Sequence, residues 1–240
     1  MQFSGTFKPH PKGFGFVQAV EGPSIFVPPK LARRFFYFDT VQVEAVQDES
    51  ARWSAQSLTL LEPGARRIAG TVEHHDNAFW VVPELPVLPR FAVYAQNTMK
   101  INPGDKVVAE ALGTSAGWVM EIRDNVGPAT TKNWESELSM KLYAIPNDPW
   151  LAPPPMPVIN DYANMEHLAM VTIDSESTTD VDDAVFVQEK DNGFVLHVAI
   201  ADASAYVVEG SDLDAYAFER ATTVYMTQRV IPMLPRSISS

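Results

Sequence analysis

The chain has 240 residues, 46% of them hydrophobic and 20% charged, and this composition excludes a disordered or collagen-like protein. It contains no cysteine, which excludes disulfide scaffolds, thiolate zinc sites and cysteine nucleophiles. Any metal must therefore be held by carboxylates, histidines or carbonyls. The sequence has no run of eighteen apolar residues and starts without the apolar segment of a signal peptide, so we expect a cytoplasmic protein without membrane contacts.

The acidic residues are concentrated in the second half of the chain. The formal net charge is −12, which by itself disfavours a generic nucleic-acid coat, because such proteins need excess positive charge to displace counterions. Residues 1–130, however, carry 12 basic and 13 acidic side chains, whereas residues 131–240 carry 6 and 17. So sharp a shift indicates separate domains with separate functions.

The first half contains an internal repeat. Ser4-Gly5-Thr6 recurs as Ala69-Gly70-Thr71, and the pattern Asp-x-Val-x-x-Glu-Ala starts at both Asp39 and Asp105. Two matches about 65 residues apart predict two copies of one small fold.

Each copy is predicted to consist of short strands separated by Gly, Pro and Asp turns. In the first copy these strands cover residues 6–7, 15–19, 24–27 and 41–46. Several short strands in so few residues favour a small barrel over a helical domain. We therefore predict two all-β barrels, over residues 1–64 and 65–130.

Residues 131–160 have a different character. Acidic residues come first and apolar residues recur at helical spacing over residues 133–143, which predicts a short helix. Six prolines follow between Pro146 and Pro157, and proline is excluded from helix interiors and central strands. We therefore predict an extended linker, partly polyproline II.

Residues 161–240 return to a globular pattern. Strands are predicted at residues 168–173, 184–189 and 194–201, and Asn192-Gly193 is expected to supply the tight turn between the last two. Ser211, with Asp214 three residues later, predicts the start of a helix that runs toward Tyr225.

Residues 174–183 hold four aspartates and one glutamate without a basic residue. Carboxylates packed this closely raise the free energy of the folded state unless a cation neutralises them. The segment is therefore either a solvated acidic loop or a metal site, and its position between two apolar predicted strands favours the metal site. All-oxygen ligation points to Mg²⁺, Mn²⁺ or Ca²⁺.

An EF-hand calcium loop does not fit this segment. Such a loop starting at Asp174 requires glycine at its sixth position and glutamate at its twelfth, but the chain has Thr179 and Val185 there. The predicted hairpin turn would also pair Asp183 with Asp202 across the two strands. We therefore expect a further carboxylate at the edge of the metal site.

Sequence blocks at residues 174–185, 197–207, 209–214 and 224–235 resemble, in this order, the opening of the catalytic domain of the ribonuclease II (RNB) family. The first half is similar to the paired cold-shock-type OB-folds of the same family, chiefly through the Lys-Gly-Phe-Gly-Phe-Val motif that starts at Lys12. The resemblance implies an α+β chain. Two small all-β OB-fold barrels would be followed by the first part of a mixed α/β RNB catalytic domain.

The resemblance implies a monomeric, processive 3′-to-5′ hydrolytic exoribonuclease that uses Mg²⁺ or Mn²⁺ on single-stranded RNA and releases nucleoside 5′-monophosphates. Asp174, Asp180, Asp182 and Asp183 match the four catalytic, metal-binding aspartates of the family. Asp182 matches the one tied most directly to cleavage. Two divalent ions at such a site polarise the scissile phosphate and activate the attacking water.

Tyr225 and Arg220, which both follow the acidic segment in the sequence, are candidate RNA contacts. Tyr225 falls where the family places an aromatic that stacks on RNA bases near the active site; the alternative is a tyrosine that packs on its own core. Stacking accepts any base and contributes about 1–3 kcal/mol per base. Arg220 is either a phosphate contact or a surface charge.

Aromatic and basic side chains of the first copy predict a stacking platform with a cationic border. They are Phe14, Phe16, Phe26, Lys8, Lys12 and Lys30. The alternative is that some of these aromatics fill the interior of the barrel. Strand alternation shows which side chains share a face, but it does not determine which face is exposed to solvent. The second copy keeps aromatics at residues 78–82 but lacks the motif, which leaves its role in RNA binding open.

Family members continue well past the Ile-Pro-Met-Leu-Pro block, whereas this chain stops at Ser240. We therefore expect it to be the N-terminal part of a longer protein and to be inactive alone. The alternative function is a non-catalytic RNA-binding module of tandem OB-folds.

Overall fold

The computed structural model describes residues 1–146, 163–176, 178 and 181–239. They form two compact units, Met1–Ile145 and Pro146–Ser240. Most of the predicted proline-rich linker lies outside the described residues, as does Asp180.

The first barrel is closed, with strand order β1-β2-β3-β5-β4. A short helix, α1 (Pro29–Ala32), follows β3. β1 pairs with both β2 and β4, and a parallel contact between β3 and β5 completes the ring. The four predicted strands are confirmed and the fifth was not predicted. The strands are β1 (Gln2–Pro9), β2 (Gly15–Ala19), β3 (Ser24–Val27), β4 (Thr40–Gln47) and β5 (Trp53–Glu62).

Apolar and polar residues alternate along the strands of this barrel, so that one set of side chains forms a buried apolar core. Every second side chain of β2 and β3 points inward, and each fully buried side chain of this size contributes about 1.5–3 kcal/mol. The largest inward side chains, all with 0% exposure, are Phe7, Val17, Ile25, Val27, Val41 and Val43.

The second half of the first unit repeats the same topology. Its sheet order is β10-β9-β6-β7-β8, and a parallel bridge between Val93 and Met120 stands where β3 and β5 meet in the first barrel. The internal repeat therefore predicted a duplicated fold correctly. The strands are β6 (Arg67–His75), β7 (Ala78–Pro83), β8 (Phe91–Ala92), β9 (Asp105–Thr114) and β10 (Gly117–Pro128).

The repeated aspartate is structural in both barrels. Asp39 accepts a hydrogen bond from the backbone N of Phe36 at 2.7 Å, and Asp105 accepts one from the backbone N of Asn102 at 2.8 Å. Both carboxylates are buried, and each closes the turn that leads into a long central strand. Asp39 also forms an ion pair with Arg66 at 2.6 Å.

The two barrels share a buried aromatic contact within the first unit. Phe36, from the loop after α1, belongs to the core of the second barrel and lies 5.1 Å from the Trp118 ring. The Trp118 indole N–H donates to the Phe35 carbonyl at 3.1 Å. The predicted helix is present as α2 (Trp134–Leu142), and Lys106 of the second barrel lies 4.7 Å from the Trp134 ring.

The described residues of the second unit form two hairpins, one long and one with strands of two residues, and a helix of nine residues. The elements are β11 (Asp183–Lys190), β12 (Gly193–Ile200), a 3₁₀ turn (Ala203–Ala205), α3 (Asp212–Arg220), β13 (Val224–Tyr225), β14 (Val230–Ile231) and α4 (Arg236–Ser239). The α+β fold class is confirmed. None of the helices in the described part of the chain is long and apolar enough to cross a membrane.

The register of the β11–β12 hairpin differs from the prediction. Asp191 and Asn192 form the turn, and Asp183 pairs with Ile200 instead of Asp202. The predicted turn required two residues with positive φ, but only Gly193 has one, at 148°. Pairing is therefore displaced by two residues, which leaves every side chain on its expected face.

Two other predicted elements of this unit were too long. Residues 168–173 do not form a strand; they contribute only an isolated bridge between Val171 and Val185. Helix α3 begins as predicted, because the Ser211 hydroxyl accepts from the Asp214 backbone N at 3.2 Å, but it ends at Arg220. The next residue, Ala221, has φ 60°, which stops the helix before Tyr225.

Candidate active site and RNA-binding surface

Backbone hydrogen bonds join the two ends of the acidic segment. Val171 precedes the segment and Val185 follows it, and these two residues exchange two backbone hydrogen bonds, both of 2.9 Å. The Ala201 backbone N donates to the Asp182 carbonyl at 2.7 Å, which extends the hairpin pairing to the end of the loop. Asp174 and the pair Asp182 and Asp183 therefore stand at the two ends of one closed loop.

The described carboxylates of this loop face solvent without a cationic partner. Asp174, Asp182 and Asp183 are exposed, and none takes part in an ion pair formed by described residues. Within the described ranges no three acidic or histidine side chains converge on one point, and Asp180, which the prediction includes, lies outside them. The donor set consists of carboxylates alone, which fits a hard divalent ion such as Mg²⁺.

Asp202 lies one residue beyond the backbone contact with Asp182. Its carboxylate accepts from the Ser204 hydroxyl at 2.6 Å and from the Ser204 backbone N at 3.1 Å, and it begins the 3₁₀ turn. The structure therefore gives Asp202 a local capping role. A second role at the edge of the metal site stays a prediction.

Tyr225 is 67% exposed and lies on β13, so the alternative in which it packs on its own core is wrong. β13 pairs with β14 through Tyr225 and Val230, and the Met226 backbone N donates to the Arg229 carbonyl at 2.9 Å to close the turn. An exposed ring on a short hairpin is able to stack on a base.

Arg220 is buried, with only 8% of its surface exposed, so the surface-charge alternative is wrong. Its guanidinium donates to the Tyr216 hydroxyl and to the backbone carbonyls of Pro146 and Pro232, both at 3.4 Å. A phosphate contact would require the guanidinium to leave these groups. We therefore assign Arg220 no direct RNA contact.

The three phenylalanines of the first barrel form one outward cluster. The Phe14 ring lies 5.7 Å from Phe16 and 5.6 Å from Phe26, and Phe16 and Phe26 are 5.9 Å apart across paired strands. Phe16 is 39% and Phe26 37% exposed, while the alternate residues of the same strands fill the core. His10 stacks on Phe14 at 4.1 Å and extends the cluster. We call Phe14, Phe16, Phe26 and His10 the aromatic platform.

Basic residues border the aromatic platform. Lys8 pairs with Phe16 across β1 and β2, and the Lys12 backbone N donates to the His10 ring at 3.2 Å. Lys8, Lys12 and Lys30 are exposed, and the described residues offer none of them an acidic partner. Their charges are therefore available to phosphates.

The equivalent face of the second barrel has different chemistry. Trp80 pairs with Glu73 as Phe16 pairs with Lys8, so an acidic residue replaces the basic one beside the aromatic ring. The Arg90 guanidinium lies 4.8 Å from the Trp80 ring centroid and covers it. This face therefore lacks an open cationic border.

Comparison with known proteins agrees with this geometry. The model of the RNB domain matches residues 162–240. Exoribonuclease 2 of Vibrio vulnificus (strain YJ016) is 32% identical over 256 residues, which cover 98% of this chain and 37% of that protein. Ribonuclease R of Acidithiobacillus ferrooxidans is 33% identical over 257 residues, which cover 98% of this chain and 58% of that protein. Residues 162–240 therefore match the RNB domain, and nearly the whole chain is similar to proteins named exoribonuclease 2 and ribonuclease R.

Solved structures share the fold of this chain. The apo form of Mycoplasma genitalium RNase R covers 98% of this chain with a TM-score of 0.70 at 20% identity. Yeast Ssd1, a pseudonuclease, covers 99% with a TM-score of 0.66 at 14% identity. The chain spans 37% and 58% of the two curated relatives and about 40% of these solved chains.

Sequence reasoning missed His10 as a member of the aromatic platform. His10 lies in the turn between β1 and β2, outside both strands, so strand alternation does not relate it to Phe14. The only available signal was its place beside the Lys-Gly-Phe-Gly-Phe motif. Sequence reasoning also missed the burial of Arg220, which depends on carbonyl groups distant in sequence.

Proposed function

We propose that this chain contributes the RNA-binding barrels and the metal-binding carboxylates of a processive 3′-to-5′ exoribonuclease that hydrolyses single-stranded RNA. The observation that carries the proposal is the closed acidic loop, in which Asp174, Asp182 and Asp183 are exposed and lack a cationic partner among the described residues. One curated relative is named exoribonuclease 2 and another ribonuclease R, and these names support ribonuclease chemistry.

The aspartates would hold Mg²⁺, with Mn²⁺ as a substitute. Asp174, Asp180, Asp182 and Asp183 are the proposed ligands, and their short side chains suit a rigid octahedral ion. When bound, two such ions polarise the scissile phosphate and lower the pKa of the attacking water.

Tyr225 and the aromatic platform would each stack on RNA bases. Tyr225 stacks on a base near the 3′ end, and the platform of the first unit stacks on RNA bases while Lys8 and Lys12 contact phosphates. Stacking does not depend on base identity, so the strand remains bound as its end shortens. Each cycle adds one water to the terminal phosphodiester, leaves a 3′ hydroxyl on the shortened strand and releases one nucleoside 5′-monophosphate.

A cytoplasmic location and a monomeric state also remain predictions. Size-exclusion chromatography with light scattering of the full-length protein measures its mass directly. A mass of one chain is the expected result.

The test of the active site is a paired substitution in the full-length protein. Asp182→Asn removes one proposed metal-binding charge, whereas Asp191→Asn makes the same chemical change in the exposed turn of the hairpin. With Mg²⁺ and 3′-labelled single-stranded RNA, we expect release of labelled mononucleotide to fall at least 100-fold, on the order of the loss for an electrostatic catalytic group, in Asp182→Asn alone. Equal rates in the two variants would refute the role of Asp182.

The second candidate is a non-catalytic RNA-binding module. Yeast Ssd1, a pseudonuclease, shares the fold, and a fold alone does not determine activity. The aromatic platform is complete without the acidic loop. The same assay separates the candidates, because RNA binding without Mg²⁺-dependent cleavage by the full-length protein would favour the binding module.

A further inference from the structure

Arg220 joins three parts of the second unit through one buried side chain. It is the last residue of α3, and its guanidinium lies 4.4 Å from the Tyr216 ring one turn earlier, donating to the hydroxyl of that residue. The same guanidinium donates to the Pro232 carbonyl just after β14 and to the Pro146 carbonyl at the start of the unit. A buried charge is stable only where such partners satisfy it.

The backbone at Arg220 holds the other end of the same hairpin. The Thr222 backbone N donates to the Arg220 carbonyl at 2.7 Å, just before β13 begins. The Met233 backbone N donates to the Thr223 hydroxyl at 3.1 Å, across the base of the hairpin. Arg220 therefore fixes where the chain enters the β13–β14 hairpin through its backbone, and where the chain leaves it through its side chain.

This hairpin carries Tyr225 and has little stability of its own. Each strand has two residues, paired only at Val224 with Ile231 and at Tyr225 with Val230. Isolated two-stranded hairpins are marginal in water, so the direction of the Tyr225 ring depends on how the base of the hairpin is anchored. The ring itself is 67% exposed and cannot be held by burial.

We propose that Arg220 is a positioning residue for Tyr225: it anchors both ends of the β13–β14 hairpin so that the exposed ring is held ready to stack on RNA. The inference rests on the proposed stacking role of Tyr225. Arginine suits this task because its planar guanidinium has five donors and reaches several acceptors at once. Lysine keeps the charge but presents one compact ammonium group, so it cannot hold all these acceptors together.

The test uses the full-length protein and single-stranded RNA that carries the fluorescent base 2-aminopurine at successive positions from the 3′ end. Binding is measured in an Asp182→Asn background, so that the strand stays intact. Tyr225→Ala should remove fluorescence quenching at one position and weaken binding about 5- to 150-fold, the loss expected for one stacked base. Arg220→Lys should reduce quenching at that same position and weaken binding by a smaller factor.

A double variant separates positioning from direct contact. If Arg220 acts through Tyr225, Arg220→Lys adds no further loss of affinity once Tyr225 is alanine. Additive losses would overturn the inference, because they would show that Arg220 acts on RNA independently. Arg236→Lys makes the same change at an exposed position on α4 and should bind like the parent protein.

A milder variant keeps the test decisive if Arg220→Lys does not fold. Tyr216→Phe removes only the hydroxyl acceptor and keeps the ring under the guanidinium, and it should reduce quenching at the Tyr225 position with little loss of thermal stability. Wild-type quenching in every folded variant of Arg220 and Tyr216, with a clear loss in Tyr225→Ala, would refute the positioning role alone. No loss in Tyr225→Ala would instead refute the stacking role and the inference with it.

Discussion

Replacing Phe16 by alanine should weaken RNA binding with little effect on the stability of the first barrel. Phe16 is 39% exposed and belongs to the aromatic platform, where its ring lies 5.7 Å from Phe14 and 5.9 Å from Phe26. One stacked base contributes about 1–3 kcal/mol, which corresponds to a loss of affinity of roughly 5- to 150-fold. The core beneath it keeps all its inward side chains, so the free energy of unfolding should change little.

The assay is fluorescence anisotropy of a labelled single-stranded RNA with the 240-residue chain, repeated at several salt concentrations. Phe16→Ala should lower affinity equally at every salt concentration, because it removes no charge. Lys12→Ala should instead reduce the salt dependence, by a slope of about 0.7 for one phosphate contact on a single strand. Leu60→Ala removes an apolar side chain that is 44% exposed elsewhere on the barrel and serves as the matched control.

Two outcomes would refute this reasoning. Equal affinity of Phe16→Ala and Leu60→Ala would show that the aromatic platform does not bind RNA. A large loss of stability in Phe16→Ala would show that the ring supports the core, as in the alternative that the sequence left open.

Three further predictions concern the framework that holds these surfaces. Asp39→Ala should destabilise the first unit by about 3–5 kcal/mol in urea unfolding, because the Arg66 charge and the Phe36 N–H lose their buried partner. Asp48→Ala removes an exposed ion pair and should cost about 1 kcal/mol or less, so equal losses in the two variants would contradict the structural role of Asp39. Hydrogen bonds from Ser57 and then Gln2 hold the pKa of Glu44 below its ordinary value, so Ser57→Ala should raise that pKa in an NMR titration, and an unchanged value would be inconsistent with the contact. Ser211→Ala should lower the stability of the second unit by about 0.5–2 kcal/mol in thermal unfolding through loss of the α3 cap, and no change would show that the cap is dispensable.

The two barrels could be predicted because their signals are local. Strand alternation and the repeated Gly5 and Gly70 recur in register, and both glycines are required where a side chain would collide with the paired strand. The strand β5 (Trp53–Glu62) was missed because polar residues interrupt its alternation. The sequence also could not predict which face of β2 is exposed to solvent, because that depends on closure of the whole barrel.

The β11–β12 hairpin and the burial of Arg220 show the limit of sequence reasoning more clearly. Asp191-Asn192 and Asn192-Gly193 are both plausible two-residue turns, and they differ by two positions in the partner of Asp183 without changing its face. Helical spacing placed Arg220 correctly on α3, but its burial depends on Pro146 and Pro232, which lie far from it in sequence. Contacts of this kind have no local pattern.

The products that the full-length protein releases from RNA show whether it is a 3′-to-5′ exoribonuclease. The protein is incubated with Mg²⁺ and single-stranded RNA of known sequence, and the released nucleotides are identified by mass spectrometry over time. We expect nucleoside 5′-monophosphates released in order from the 3′ end, with no release when a chelator removes the metal. Nucleoside 3′-monophosphates, internal fragments or cleavage that persists in the chelator would contradict it.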